Sequence, residues 1–261
     1  MNVNLSVITD FPLFSQLETF FKKSKDAGID GIELVIGFKT RFEYPRILYL
    51  CEKYDLPIVS LHQPPWSGIG VYFDERFVQL AKKLGVRYIT YHPLAFHSFT
   101  SAAGIEYLER LAKLQEKYDI TVMLENMEDE FTYSRLHDGT KDHVLHHLED
   151  INRIADTYGF LITYDVSHAE FTDPGKTEIF QKMLPKIGNI HASSFSHVQH
   201  HLSLTKGDLH TKNFIEYLLK KKYKGLFTLE VRPPVRKLVV ENYSFTDIQE
   251  SVSLIKEIAG K

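Results

Sequence analysis

The sequence predicts an α/β chain folded as one closed (β/α)8 barrel. Three observations carry that expectation. Eight short apolar runs alternate with eight amphipathic segments along 261 residues. The repeating unit is roughly 30 residues, and barrels of about 250 residues are routinely single domains. No G-x-G-x-x-G motif follows the first run, which removes the usual signature of an open dinucleotide-binding sheet.

The strands are read in order at 3–8, 31–36, 57–62, 86–92, 120–125, 160–165, 187–192 and 225–231. Each is short and rich in β-branched or aromatic residues, as a parallel strand buried on both faces should be. Helical spacing fills the intervals at 13–27, 42–54, 72–84, 102–118, 142–158, 174–185, 211–222 and 243–258. In 102–118, Ile105, Leu108, Leu111, Ala112 and Leu114 mark one apolar face. In 211–222, Phe214, Leu218 and Leu219 do the same. Gly28, Gly85, Gly159, Gly188 and Gly225 read as the punctuation that ends a helix before the next strand. No composition break or linker divides 1–261, so one domain is expected. Two connections are long, 127–141 after strand 5 and 193–210 after strand 7. Both leave the C-terminal end of a strand, where barrels build their sites, so both are candidate substrate loops.

Composition excludes several classes. The chain is 43% apolar and 25% charged, with a formal net charge of −3, so no basic excess marks a nucleic-acid surface. The single cysteine, Cys51, leaves no disulfide framework, fits a reducing cytoplasmic compartment and reads as a core thiol. The opening MNVNLSVITDF lacks the basic and apolar regions of a signal peptide, and no run of 18 apolar residues spans a membrane. The run KKKYK at 220–224 reads as a solvated helix end that complements the dipole.

The chemistry is written at the strand ends. Strands 3 to 8 end at His62, His92, Glu125, Asp165, His191 and Glu230, with His168 three residues past Asp165. In a barrel these ends surround one axis, so the side chains converge. Carboxylates and imidazoles crowded in one pocket need a counter-ion, and a divalent cation supplies it. Mixed imidazole and carboxylate donors suit Zn, Mn, Co or Fe(II). Glu33 in strand 2 has two readings, a side chain facing the barrel mouth or a structural hydrogen-bonding group.

The ordered set LHQPP, YHP, LENM, YDVSHAEF, NIHASS and TLEVRPP resembles the xylose-isomerase-like TIM barrel superfamily over nearly the whole chain. That group holds sugar isomerases and epimerases and, more distantly, the endonuclease IV type of abasic-site nuclease. In the isomerase and epimerase branch, the resemblance implies one divalent ion (Mn, Zn, Co or Mg) held at Glu125, Asp165, His191 and Glu230, with His168 contacting substrate. The implied reaction is proton transfer next to the carbonyl of an open-chain sugar or sugar phosphate, with Glu125 and Glu230 as the acid/base pair. Loop aromatics, Trp66 foremost and then Phe96 or Phe99, would cover an apolar sugar face. Dimers and tetramers are frequent in that branch, so a homo-oligomer is one assembly the resemblance allows, and the sequence leaves the oligomeric state open.

The nuclease branch implies two or three zinc ions, with His62, His92, His168 and His201 as further ligands. The family's His-x-x-Leu-Gly-x-Gly pattern aligns on residues 200–209 with His201 at the histidine. Its Asp-x-His pair then puts Gln199 where a carboxylate should hold zinc, and a neutral amide is a poor substitute. A local shift of this alignment would instead bring in His197, His200 or Asp208. The acidic net charge also counts against DNA as a partner. A third reading is a metal- or sugar-binding barrel without catalysis.

Overall fold

β-Branched and aromatic runs form strands here, and Gly-terminated amphipathic runs form the helices between them. The structure, a computed structural model, describes residues 1–8, 13–36, 40–63, 75–94, 97–127, 147–196, 199–207, 210–231 and 245–260. Strands β1 (Asn4–Ile8), β2 (Gly31–Val35), β3 (Ile58–His62), β4 (Tyr88–Tyr91), β5 (Thr121–Glu125), β6 (Leu161–Asp165) and β7 (Ile187–Ala192) fall within the predicted runs. Two short strands, β8 (Ser194–Ser196) and β9 (Gln199–Leu202), then pair antiparallel, and β10 (Leu226–Leu229) completes the set. The strand order β1-β10-β7-β6-β5-β4-β3-β2 is that of a closed eight-stranded barrel.

The helices are α1 (Leu13–Asp26), α2 (Thr40–Tyr54), α3 (Glu75–Lys83), α4 (Ala102–Tyr118) and α5 (Leu148–Tyr158). They continue with α6 (Val166–Thr172), α7 (Thr177–Met183), α8 (Thr211–Lys220) and α9 (Phe245–Ala259). Three features depart from the sequence reading. The predicted helix at 174–185 is a seven-residue α7 followed by a 3-10 turn at Leu184–Lys186. Pro185 lies in that turn and has no N–H with which to extend the α-helical ladder. An extra helix, α6, starts directly after β6, and the loop at 193–210 contains the β8–β9 hairpin.

Contacts divide the chain into two compact units, Met1–Ser60 with His191–Lys261, and Leu61–Ile190. In the first unit β1 is central. It pairs in parallel with β2 from Asn4↔Gly31 to Ile8↔Val35, and with β10 at Asn4↔Thr228 and Leu5↔Leu229. Leu5, Ile32, Leu34, Phe227 and Leu229 are fully buried there. Gly31 opens β2 because nothing larger fits. A Cβ there would stand 2.6 Å from Val59 Cγ1 and 2.7 Å from Asn4 Oδ1.

In the second unit β3, β4, β5 and β6 pair in parallel in sequence order, through Leu61↔Ile89, Thr90↔Met123 and Leu124↔Ile162. Ser101 caps α4, its hydroxyl accepting from Gly104 N at 3.1 Å, and Asp119 ends the helix in the left-handed region. The buried stripe of α4 is Gly104, Tyr107, Leu108, Leu111 and Leu114. Ile105, expected on that face, is 40% exposed. Its position one residue past Gly104 turns it about 100° away from the stripe. In α8 the buried residues are Thr211, Ile215 and Leu218, and Phe214 and Leu219 flank them half-buried.

Gly28, Gly85 and Gly159 end helices at positive φ, as expected. Gly188 does not: it lies inside β7, where a Cβ would stand 2.8 Å from Leu161 Cδ1 and 3.0 Å from Met123 Sδ. Its role is close approach rather than helix termination. Among the described residues no helix is long and apolar enough to cross a membrane.

Two outcomes follow from this packing. Gly31→Ala should lower stability by about 1–3 kcal/mol through overpacking, read by urea denaturation. An unchanged midpoint would contradict the close approach. Cys51, on α2, is half-buried rather than enclosed, and burial pushes its thiol up to about 11. The neutral thiol therefore dominates at every pH below that value, and the thiolate grows tenfold per pH unit as 11 is approached. The alkylation rate with iodoacetamide should keep rising past pH ~9; a plateau near ~8.5 would show an unperturbed thiol.

Candidate metal centre

Each half of the chain carries its own cluster of buried acids and imidazoles. In the second unit three successive strands supply His62 at the end of β3, His92 just after β4 and Glu125 at the end of β5. Parallel pairing aligns these ends, so the side chains meet. His62 Nε2 lies 3.0 Å and His92 Nε2 3.1 Å from the same atom, Glu125 Oε2. All three residues are buried, and their donor atoms lie within 4.8 Å of one another. Burial holds His92 below the usual imidazole range although Glu125 pulls the other way. A neutral imidazole is the form that ligates.

The backbone fixes how these rings point. His62 Nδ1 donates to the carbonyl of Gln63. A carbonyl only accepts, so Nδ1 carries the proton and, in the neutral ring, the lone pair is on Nε2, the atom turned to Glu125. The Gln63 side chain accepts from the His92 backbone N–H at 2.9 Å, and Tyr107 Oη donates to the His92 carbonyl at 2.7 Å. A lone pair 3.0 Å from a carboxylate oxygen is repulsive unless a proton or cation lies between them. The donor set therefore fits a divalent cation, and imidazole with carboxylate is a set that Zn, Mn or Co accepts.

Asp165 and His168 extend this cluster. Asp165 ends β6 and caps α6, its Oδ1 accepting from His168 N at 2.7 Å and from Ser167 Oγ at 2.9 Å. That cap is why the chain turns straight into a helix after the strand. His168 Nδ1 donates to the Asn126 carbonyl at 2.9 Å and lies 3.7 Å from Glu125 Oε1. Asn126 and Asp165 hold each other by two reciprocal bonds, Asn126 Nδ2 to Asp165 O at 2.9 Å and Asp165 N to Asn126 Oδ1 at 2.8 Å.

The first unit holds the other predicted residues. His191 on β7 is fully buried between two carboxylates. Its Nδ1 is 2.8 Å from Glu230 Oε2, and its Nε2 is 2.8 Å from Glu33 Oε1. Glu230 follows β10 directly, and its N–H donates to Ala192 O at 3.1 Å, continuing the parallel pairing of the strand ends. Glu33 makes the structural hydrogen bond, accepting from Ser60 Oγ at 2.7 Å, and its other oxygen stands against His191. His201 is buried in β9 with φ of 53°.

Several residues here were not singled out from the sequence. Gln63 and Asn126 each follow a candidate strand-end ligand by one position, and that position is the signal that marks them. Trp66, Phe96, His197, Asp208 and the loop from 128 to 141 lie outside the described residues. Gln199 and His200 are described only as backbone of β9. Phe99 is buried.

Residues 21–257 match the family described as xylose isomerase-like TIM barrel. The chain belongs to that family. No curated protein is matched in sequence. Solved structures that share the family fold include L-ribulose 3-epimerase, at 15% identity and TM-score 0.75, covering 100% of this chain and 95% of that one. They include 3-keto-D-glucoside 4-epimerase from E. coli, at 16% identity and TM-score 0.70, covering 98% and 99%. An AP endonuclease of family 2 from Brucella melitensis is also similar, at 16% identity and TM-score 0.66, covering 94% and 97%. Sugar epimerases predominate among the named neighbours, and identities this low establish the fold alone.

Asn126→Ala removes both reciprocal bonds and strands the Asp165 backbone groups. It should cost about 1–3 kcal/mol, measured by chemical denaturation of the metal-free protein. A loss under about 0.5 kcal/mol, the usual range for surface substitutions, would show that the pair does not hold the strand ends.

Proposed function

We propose that this protein is a divalent-metal-dependent isomerase or epimerase acting on a sugar or sugar phosphate. The observation that carries the reading is the pair of buried glutamates, Glu125 and Glu230, each set against imidazole nitrogens at the end of its strand. The sugar epimerases among the named structural neighbours support it. In this reading residues 1–261 act as one domain. Glu125, Asp165, His191 and Glu230 hold one ion, and His168 orients a substrate hydroxyl. When bound, the ion withdraws charge from the substrate's carbonyl oxygen and favours the enediolate.

The proton chemistry belongs to the two glutamates. One carboxylate takes the proton from the carbon next to the carbonyl, and the C–H electron pair becomes the new C=C bond as the carbonyl oxygen gains charge. The other, protonated at the start, delivers its proton to the opposite face of the same carbon; when the carbonyl moves instead, the proton goes to the former carbonyl carbon and the proton of the neighbouring hydroxyl passes to the former carbonyl oxygen. Burial suits both roles, because it removes competing water and leaves the carboxylates poorly solvated.

A second reading is favoured by one specific observation. His62 and His92 join Glu125 in a three-donor group, and a one-metal isomerase does not require it. That group fits a multi-zinc phosphodiesterase of the endonuclease type. Against it stand the net charge of −3 and Gln199 in place of a carboxylate.

Metal analysis of the purified chain separates the two: about one ion per chain is expected here, and about three zincs would favour the nuclease. Incubation with a panel of ketoses in tritiated water should label the substrate pool. Glu230→Gln should reduce that exchange by about 100-fold or more while ketose binding persists. Full exchange in the variant would remove Glu230 from proton transfer, and sugar binding without any exchange in the wild type would point to a non-catalytic barrel.

A further inference from the structure

We infer that Asp173 is a positioning residue: with Thr172 it clamps α6, the helix that carries His168, to the chain leaving β5 and to the start of α5. The inference rests on the proposed role of His168 at a substrate hydroxyl. It starts from the size of α6. Seven residues make about two turns, and a helix that short does not hold itself together in water. Its place therefore depends on what its two ends are tied to. The opening end is tied by the Asp165 cap. The closing end is tied twice, at Thr172 and at Asp173.

Thr172 Oγ1 donates to the Met127 carbonyl at 3.2 Å. Thr172 lies one turn past His168 on the same helix face, and His168 bonds the preceding carbonyl, that of Asn126. Two successive carbonyls after β5 are thus held by one face of α6. Asp173 holds the returning chain. It is the C-cap of α6, and its Oδ2 accepts from Leu148 N at 2.9 Å. Leu148 opens α5, whose own N-cap residue, His147, makes no side-chain cap. Asp173 supplies that cap from another helix, and its negative charge suits the positive end of α5. Its Oδ1 meets Lys176 Nζ at 2.6 Å and His147 Nδ1 at 3.1 Å. Asp173 is 4% exposed. Burial pushes its carboxyl up, but Lys176, the Leu148 N–H and His147 together outweigh burial and hold it below its ordinary range. Met127 and His147 flank the long connection after β5. One short helix therefore sets where that connection leaves, where it returns and where His168 stands. A shift of about 1 Å in such a group can cost as much as 100-fold in rate.

The test compares Asp173→Ala, Asp173→Asn and Thr172→Val in the full chain. Amide hydrogen exchange is read first, on metal-free protein, where neither metal nor substrate enters. Asp173→Ala should speed exchange at 147–150 and 166–172 about tenfold or more and leave α4 unchanged. Solvent tritium exchange into the ketose is read second. KM should rise about tenfold, the loss of one substrate hydrogen bond. The kcat should stay within about threefold, because Glu125 and Glu230 lie outside α6. Asp173→Asn keeps an oxygen for the Leu148 N–H and loses only a charge answered by half-exposed groups, so it should stay near wild type in both readings. A merely structural role would speed exchange throughout the chain and lower the active fraction, which reduces kcat and leaves KM alone. Wild-type KM in a folded Asp173→Ala protein overturns the inference, as does unchanged exchange at 166–172. If the wild type turns over no ketose, the functional reading fails instead, and exchange at 166–172 still decides whether Asp173 holds the helix. Should Asp173→Ala not fold, Thr172→Val, which keeps the volume and removes one hydroxyl, decides by the same two readings.

Discussion

Buried negative charge is the constraint that shapes the interior of this chain. Glu33, Glu125, Asp165 and Glu230 are each at most 2% exposed. A carboxylate taken out of water costs several kcal/mol unless it is answered by donors or opposite charge. The answers here are local and specific. Glu125 faces two imidazoles, Asp165 accepts from the first turn of α6, and Glu33 accepts from Ser60 and meets His191. The helix that follows β6 is part of this answer, since the Asp165 cap is what starts it.

The imidazoles are constrained as tightly as the acids. The Gln63 and Asn126 carbonyls take the Nδ1 protons of His62 and His168. Both residues work a second time through their side chains, Gln63 on the His92 backbone and Asn126 on Asp165. One polar residue placed just past each strand end therefore fixes a ring and a neighbouring strand together. Rings fixed by the backbone would need little reorganisation to accept a cation, the way a rigid scaffold raises affinity without adding ligands.

The sequence made the barrel legible because its period is coarse. Eight strands survive errors of about two residues at each end, and β4 stopping before His92 or β10 before Glu230 does not move those side chains away from the strand ends. Short-range features were harder to read. Gly188 looked like a helix stop because it follows one in sequence, yet the close approach of Leu161 and Met123 explains it. Ile105 is apolar and sits in a helix, but apolar character alone does not say which side of α4 faces inward when Gly104 and Tyr107 share the buried stripe. The strand-end acids and histidines were legible as ligand types. Their orientation was not, because it depends on carbonyls and hydroxyls such as those of Gln63, Asn126 and Ser60, whose spatial neighbours include strands remote in sequence.

The segment after β7 shows how firmly a loop can be held when it carries a functional candidate. Ser203 Oγ bonds to Ser251 Oγ at 2.9 Å, and Lys206 Nζ reaches both oxygens of Asp247 at 2.7 Å, tying the loop to α9. Gly207 adopts φ of 84° where a Cβ would stand 2.5 Å from the Phe195 carbonyl, so the loop closes tightly on its own start. Between these ties sits His201, a buried non-glycine residue in the left-handed region. Such a conformation costs of order 1–3 kcal/mol and persists only when its surroundings over-determine it. The ties to Ser251 and Asp247 anchor Ser203 and Lys206, which follow His201 in the chain. A segment that moves freely carries weaker attachments and a relaxed backbone. The described part of the loop after β7 has neither: its hydroxyl and ammonium groups are bonded to α9, and His201 and Gly207 hold positive φ.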